Sequence, residues 1–133
     1  MLLNELSLVE VTNLETHFIQ SGLQQGQGTV DFDFGSLGIE AGAKLLDDPT
    51  KSILVVMAEP KAIGKKEGQT EAEFTLSIKI RLVFTYPSSY EMEESFVSTN
   101  SWYLSSQVRT YFVQYAEAIL RQAGIDGIKI PLN

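Results

Sequence analysis

Three pairs of ionisable side chains stand two residues apart in stretches that alternate between polar and apolar residues. The pairs are Glu15 with His17, Asp31 with Asp33, and Glu71 with Glu73. Because residues i and i+2 of a β-strand share one face, the members of each pair are neighbours in space. A carboxylate beside a histidine can form part of a general-base site, and paired carboxylates can bind a divalent cation.

No other pattern in the sequence supports either kind of chemistry. His17 has no recognisable nucleophile to activate, and no loop carries regularly spaced oxygen ligands. The glycine-rich stretch 35–42 lacks the spacing of a phosphate-binding loop, Ser105 and Ser106 lack the context of a nucleophile elbow, and cysteine is absent. We therefore expect no enzyme, metal or cofactor, and we interpret the pairs as exposed positions on a sheet.

Aromatic residues are concentrated in the stretch 86–103. They are Tyr86, Tyr90, Phe96, Trp102 and Tyr103. We assign Tyr86 and Phe96 to packing. Because Trp102 and Tyr103 are consecutive, they cannot both face the core, so one of them is expected at a surface. Exposed aromatic side chains are frequent anchors for a bound peptide, so Tyr90, Trp102 and Tyr103 are candidate protein-binding residues.

Length and composition indicate one globular domain spanning residues 1–133. Hydrophobic residues make up 44% of the chain and charged residues 20%, and the formal net charge is −7. The negative charge argues against nucleic-acid binding. The N-terminus lacks the features of a signal peptide, and the longest apolar run, 53–58, is too short to cross a bilayer. We expect a cytoplasmic protein that is not inserted in a membrane.

The stretch Ser101–Gly124 is the element expected to position the aromatic residues. Apolar side chains recur there at spacings of three and four, namely Leu104, Val108, Tyr111, Phe112, Tyr115, Ile119 and Ala123. The opposite stripe is polar and contains Gln107, Thr110, Gln114, Glu117 and Arg121. Two complementary stripes predict an amphipathic helix. We expect it to begin near Leu104 with Asn100 or Ser101 as its cap, and to end at Gly124.

Five other stretches are predicted to be strands. They are 5–20, 29–34, 53–59, 71–86 and 90–99. The stretch 71–86 alternates most regularly, so we expect it at the centre of the sheet with the helix on its apolar face. Val9 breaks the alternation of the first strand, which a β-bulge or a strand buried on both faces would explain.

The uninterrupted apolar run of 53–59 favours a strand buried on both faces, with a buried helix as the alternative. The remaining stretches are predicted to be connections. They are 22–28, 35–52 with an optional short helix at 41–46, 60–68 as a hairpin connection, and an extended tail after the Asp126-Gly127 turn.

The order of these elements resembles the SecB export-chaperone superfamily. In the long helix, Tyr115-Ala116 stands where SecB sequences carry Tyr-Ala, and Arg121 with Gly124 resembles their arginine–glycine turn. Pro131-Leu132-Asn133 resembles the Pro-x-Asn tail. Asn100 lies at about the expected distance upstream, and 30–33 looks like the acidic first sheet strand. The specific resemblance covers about the last third of the chain.

The chain also departs from the SecB pattern. Val113-Gln114 replaces the helical proline context, and Glu117-Ala118 replaces Arg-Glu. SecB continues into a second helix where this sequence stops at Asn133. The sequence looks most similar to compact SecB-like proteins of an uncharacterised Gram-positive family that lack this helix. The resemblance implies an α+β fold, an antiparallel sheet of about four strands with one long C-terminal helix packed on one face.

The same resemblance implies a binding function. SecB is an ATP-independent holdase for unfolded chains, and its acidic sheet surface docks the translocation motor. Residues matching that surface here are Asp31, Asp33, Glu71 and Glu73. The alternative is a structural or regulatory oligomer dedicated to one protein partner, as in SecB-like members of toxin–antitoxin systems. We expect protein or peptide partners and a homodimer formed through an edge strand, with a tetramer as a further option.

Overall fold

The computed structural model describes residues 1, 3–21 and 28–125. These residues form a 3₁₀ turn at Leu3–Glu5, six strands and two α-helices. The strands are β1 (Ser7–Gln20), β2 (Gly28–Asp33), β3 (Gly38–Lys44), β4 (Lys51–Ala58), β5 (Lys61–Lys66) and β6 (Ala72–Pro87). The helices are α1 (Glu94–Thr99) and α2 (Ser101–Gln122). The α+β class is as predicted, but the described part has six strands rather than about four, and a short helix precedes the long one.

The six strands form four antiparallel rows. In order across the sheet, the rows are β1, then β6, then β4 with β5, then β3 with β2. β1 pairs with one edge of β6 over almost its whole length. The other edge carries β4 and then β5 in a single register, since Ala58 faces Ile80 and Lys61 faces Ser77. The carbonyl of Pro60, between β4 and β5, accepts a hydrogen bond from the Ile78 amide at 3.2 Å, which holds this connection against β6. β3 and β2 form the fourth row beside β4 and β5.

The interruptions in these rows fall at one level of the sheet. The fourth row breaks at 34–37 and the third at 59–60. At the same level, β1 has an irregularity between Asn13 and Glu15. β1 crosses this level as a continuous strand with a bulge, and β6 crosses it as a continuous strand without one. A further irregularity between Leu8 and Glu10 confirms the bulge as the explanation for Val9, and each bulge bends the strand that contains it.

The core lies between α2 and the face of β6 that the alternation predicts. Buried residues of β6 are Phe74, Leu76, Ile78, Ile80, Leu82, Phe84 and Tyr86. Each large apolar side chain buried here stabilises the fold by about 1.5–3 kcal/mol relative to exposure. β4 differs from the prediction because only its alternate residues Ser52, Leu54, Val56 and Ala58 are buried. Its other face is half-buried, so β4 is not enclosed on both sides.

The buried stripe of α2 follows one row of residues four apart. Its members are Leu104, Val108, Phe112, Ala116 and Leu120. The prediction missed Ala116 and Leu120 and gave their place to Tyr111, Tyr115 and Ile119, which are half-buried at the side of the stripe. Residues four apart form a row that winds slowly around a helix. Because the sheet is twisted, its contact with α2 follows this row along the helix.

The two ends of α2 differ in how well they match the prediction. Asn100 occupies the N-cap position, one of the two predicted, but its side chain does not cap α2. The side-chain amide of Asn100 instead donates to the Phe96 carbonyl at 2.9 Å, and the Ser101 hydroxyl donates to the Ser98 carbonyl at 3.1 Å. The C-terminal prediction is confirmed. Gly124 has φ +79° and its amide donates to the Arg121 carbonyl at 3.0 Å. This is a Schellman ending, which requires a left-handed residue.

Three predicted segments are wrong. The stretch 35–52 contains β3 rather than a loop with a helix, and 60–68 contains β5 rather than only a connection. The stretch 90–99 contains α1 rather than a strand. In the first two, ladder pairing with β4 and β6 overrides the low strand propensity of glycine, alanine and lysine. The predicted loop at 22–27 and the tail from Asp126, including Pro131-Leu132-Asn133, lie outside the described residues.

Candidate partner-binding surfaces

The face of the sheet opposite α2, here called the outer face, carries most of the predicted acidic positions. Asp31 and Asp33 are exposed on β2, opposite Ile63 and Lys61 of β5. They alternate with Phe32, which faces Ala62 of the core. The strand therefore separates charge from core as the sequence predicts.

The second acidic pair stands at the start of β6. Glu71 is exposed and precedes the strand, while Glu73 is half-buried at a register shift opposite Gly64 and Lys65. The Glu73 carbonyl accepts a hydrogen bond from the Ser21 amide at 2.9 Å. With β5 between them, β2 and β6 are about 10 Å apart. The two acidic pairs thus belong to one end of the sheet but are separated by the basic side chains of β5.

β1 adds further ionisable side chains to the same face. Glu10 accepts a hydrogen bond from Arg81 at 2.6 Å, and this bond, followed by one from Thr12, lowers the pKa of the Glu10 carboxyl. His17 contacts Glu15, as the sequence suggested, and the hydrogen bond with His17 lowers the pKa of Glu15. Both side chains of the histidine pair are more than half exposed. This arrangement describes a solvated edge-strand pair rather than an enclosed general base.

The aromatic residues meet where α1 passes into α2. Trp102 is 65% exposed. Its ring lies edge-on to Tyr103 at 6.0 Å, and Tyr103 in turn packs on Phe84 at 6.3 Å. The prediction that one of the two consecutive aromatics lies at the surface is confirmed, and Trp102 is that residue. Tyr86 is buried, as predicted for a packing residue.

Tyr90 and Phe96 form the other side of this aromatic junction. Their rings are 6.2 Å apart, and both residues are half-buried. Partial burial and then the nearby charge of Glu93 raise the pKa of the Tyr90 hydroxyl. The junction therefore presents apolar rings beside carboxylates. The structure brings Trp102 against Tyr103 in the first turn of α2 and Tyr90 against Phe96 of α1. The two helices are separated by Asn100 alone.

A third surface, which the sequence did not predict, lies between α2 and the break in the fourth row. Phe34 follows β2, where the Asp33 carboxylate accepts a hydrogen bond from the Gly35 amide at 2.9 Å. The Phe34 ring meets Phe112 edge-on at 5.8 Å, and the Arg109 guanidinium lies 4.4 Å from its centroid. Arg109 and Phe34 are far apart in sequence, so no local pattern indicates their contact.

Among residues 1, 3–21 and 28–125, no group of three or more histidine, cysteine, aspartate or glutamate side chains is placed to hold a metal ion. No helix there is long and apolar enough to span a membrane.

The chain was compared with known proteins by family, by sequence and by structure. No family model matches it, and no curated protein sequence matches it. A solved structure does match, the Mycobacterium tuberculosis Rv1957 SecB-like chaperone in complex with a ChAD peptide from the Rv1956 HigA1 antitoxin. The TM-score is 0.64 at 10% identity, with 96% of this chain and 90% of that chain covered. The structure therefore supports the SecB-like fold, and the resemblance to a compact Gram-positive family stays a prediction.

Proposed function

We propose that this chain is a protein-binding module that uses the SecB-like fold to hold unfolded or partly folded chains without ATP. The observation that carries the proposal is an exposed indole, Trp102, on a fold shared with a SecB-like chaperone. Large apolar side chains at a protein surface commonly mark a binding site. As part of this proposal, the protein is non-enzymatic and cytoplasmic, and its partners are proteins or peptides.

An aggregation assay tests this proposal. A chemically unfolded, unrelated protein is diluted into buffer with and without the chain, and aggregation is followed by light scattering. We expect suppression at near-stoichiometric amounts, reduced by Trp102→Ala. Leu46→Ala is the matched control, because Leu46 is fully exposed but distant in sequence from the junction. Absence of suppression by the wild-type protein would refute the holdase proposal.

A second candidate function is a regulatory module dedicated to one protein partner. The observation that favours it is the matched structure itself, in which the SecB-like chaperone holds a peptide from an antitoxin. Affinity capture with the tagged chain distinguishes the candidates. A single partner retained at fixed stoichiometry favours the dedicated module, whereas many unrelated proteins favour a general holdase.

The proposed assembly is a homodimer joined through an edge strand, with a tetramer as the larger option. β1 forms one edge of the described sheet, and the row of β2 and β3 forms the other. An uncovered edge presents backbone donors and acceptors that pair readily with another strand. Light scattering coupled to size-exclusion chromatography measures the mass, and a monomer at all concentrations would refute the assembly.

A further inference from the structure

We propose that Arg109 and Phe34 form a carboxylate-binding site that recognises an aspartate or glutamate side chain within a continuous segment of a partner protein. This inference rests on the proposed binding function and deepens it by naming one chemical feature of the partner. The site lies on the flank of α2 that contacts Phe34, in the break between β2 and β3.

The guanidinium of Arg109 is held in place but has no anionic partner within the described residues. Its Nε is buried without a hydrogen-bond acceptor, while the residue as a whole is only partly buried. Arg81 offers a contrast, because its buried Nε is accompanied by an ion pair with Glu10. A planar guanidinium fixed by stacking on an aromatic ring is preorganised to bind a carboxylate through two parallel hydrogen bonds.

Phe34 is itself held from several sides. The turn closed by Asp33 and Gly35 fixes its backbone, since Gly35 has φ +64° and donates to the Asp33 carboxylate. Phe112 meets the ring edge-on, and Phe32 stacks against it at 6.3 Å. The ring that orients the guanidinium therefore has little freedom to turn away when a ligand approaches.

Half-buried apolar residues flank Phe34 on both sides along the chain. Phe32 precedes it, Leu37 and Ile39 follow it, and all are half-buried against the core. A bound chain can therefore extend in both directions past Arg109. This favours an internal acidic side chain flanked by apolar residues over a chain terminus, which would leave half of the surface uncovered.

The negative net charge of the chain acts against binding of an acidic peptide. The chain carries a formal charge of −7, so long-range electrostatics disfavour an acidic peptide. At about 150 mM salt this repulsion is largely screened beyond about 8 Å. A preference for glutamate over its neutral isostere must then come from a local cation.

The experiment uses three fluorescent peptides. Two have blocked ends, Ser-Phe-Glu-Leu-Ser and the same peptide with Gln for Glu, and the third, Ser-Phe-Leu-Ser, has a free C-terminus. Anisotropy gives the affinities for the wild-type chain, and the ¹⁵N-labelled Arg109 Nε–H resonance reports the site. We expect the Glu peptide to bind about tenfold more tightly than the Gln peptide and to shift that resonance. Arg109→Gln should abolish the preference, and Arg109→Lys should retain part of it.

Arg121→Gln is the matched control, because Arg121 is an exposed arginine on the same helix. Equal affinity for the Glu and Gln peptides, no peptide binding, or a preference unchanged in Arg109→Gln would each overturn the proposal. Tighter binding of the free C-terminus than of the Glu peptide would overturn the internal-segment assignment. If the wild-type chain suppresses aggregation but shows no preference for the Glu peptide, only this inference is refuted. If it prefers the Glu peptide but does not suppress aggregation, only the holdase function is refuted.

Discussion

At the scale of single residues, Gly64 determines how Phe74 fits into the core. The two residues face each other on β5 and β6, and a Cβ added to Gly64 would lie 2.1 Å from the Phe74 ring. Because Phe74 is almost fully buried, the ring has nowhere to move. We predict that Gly64→Ala lowers the free energy of unfolding by about 1–3 kcal/mol, measured by urea denaturation.

Gly38→Ala is the control for this substitution. A Cβ at Gly38 would lie 3.7 Å from Met57, which is an ordinary contact. Its backbone does not have the positive φ found at Gly35 and Gly42. If both substitutions change stability equally, close packing of Phe74 on Gly64 is not the cause.

The Glu10–Arg81 pair predicts a dependence of stability on pH. The pKa of Glu10 is lower in the folded chain because Arg81 donates a hydrogen bond to the ionised form. Its contribution is therefore present above the unfolded pKa of about 4.3 and is lost as the pH falls through the folded pKa. We predict that Glu10→Gln lowers the urea midpoint at about pH 7 but much less at about pH 3.

Glu40→Gln provides a control for Glu10→Gln because it removes the same charge at a different place, since Glu40 lies on β3 opposite Val55. If the urea midpoints of Glu10→Gln and Glu40→Gln differ from the wild-type midpoint by the same amount at each pH, the role assigned to the ion pair is contradicted. The effect should also weaken in high salt, because the pair is partly exposed and exposed pairs are screened.

At the scale of elements, the spacing of apolar residues predicted those strands and helices whose buried side chains recur with the period of the element. β6 and α2 were predicted within a few residues because each has a long apolar stripe. α1 was missed because Val97, Ser98 and Thr99 have low helix propensity, whereas in the fold α1 leads directly into α2 through Asn100. The exposed indole of Trp102 followed from its place beside Tyr103. The Arg109–Phe34 contact depends on tertiary structure alone.

The buried stripe of α2 and the stripe predicted from the sequence lead to different expectations for substitutions at Ala116 and Tyr115. Ala116 is fully buried and Tyr115 only partly. Ala116→Asp would place an unpaired carboxylate in the core, which costs several kcal/mol, so we expect loss of cooperative unfolding or a sharp fall in Tm. Tyr115→Asp should be tolerated much better. Circular dichroism melts of both variants test this, and equal destabilisation would contradict the buried stripe.

At the scale of the whole molecule, charge should govern any contact with a basic partner. The formal charge of −7 and the exposed carboxylates of Asp31, Asp33 and Glu71 favour fast association with a cationic surface. We predict that reversal of charge at Asp33 and Glu73 to lysine weakens binding of a basic partner without unfolding the domain. Titration by calorimetry at two salt concentrations measures it, and unchanged affinity would refute docking on this face.

The aligned interruptions at 34–37, 59–60 and near Leu14 amount to a crease across the sheet. β6 crosses this line as a continuous strand and β1 does so with a bulge, whereas the other two rows are interrupted there. Because strand pairing is interrupted in those two rows, we expect bending about this line to disturb fewer ladder hydrogen bonds than bending within the strands. We expect the molecule to be mechanically anisotropic, stiff along its strands and compliant about the crease, where Phe34 stands.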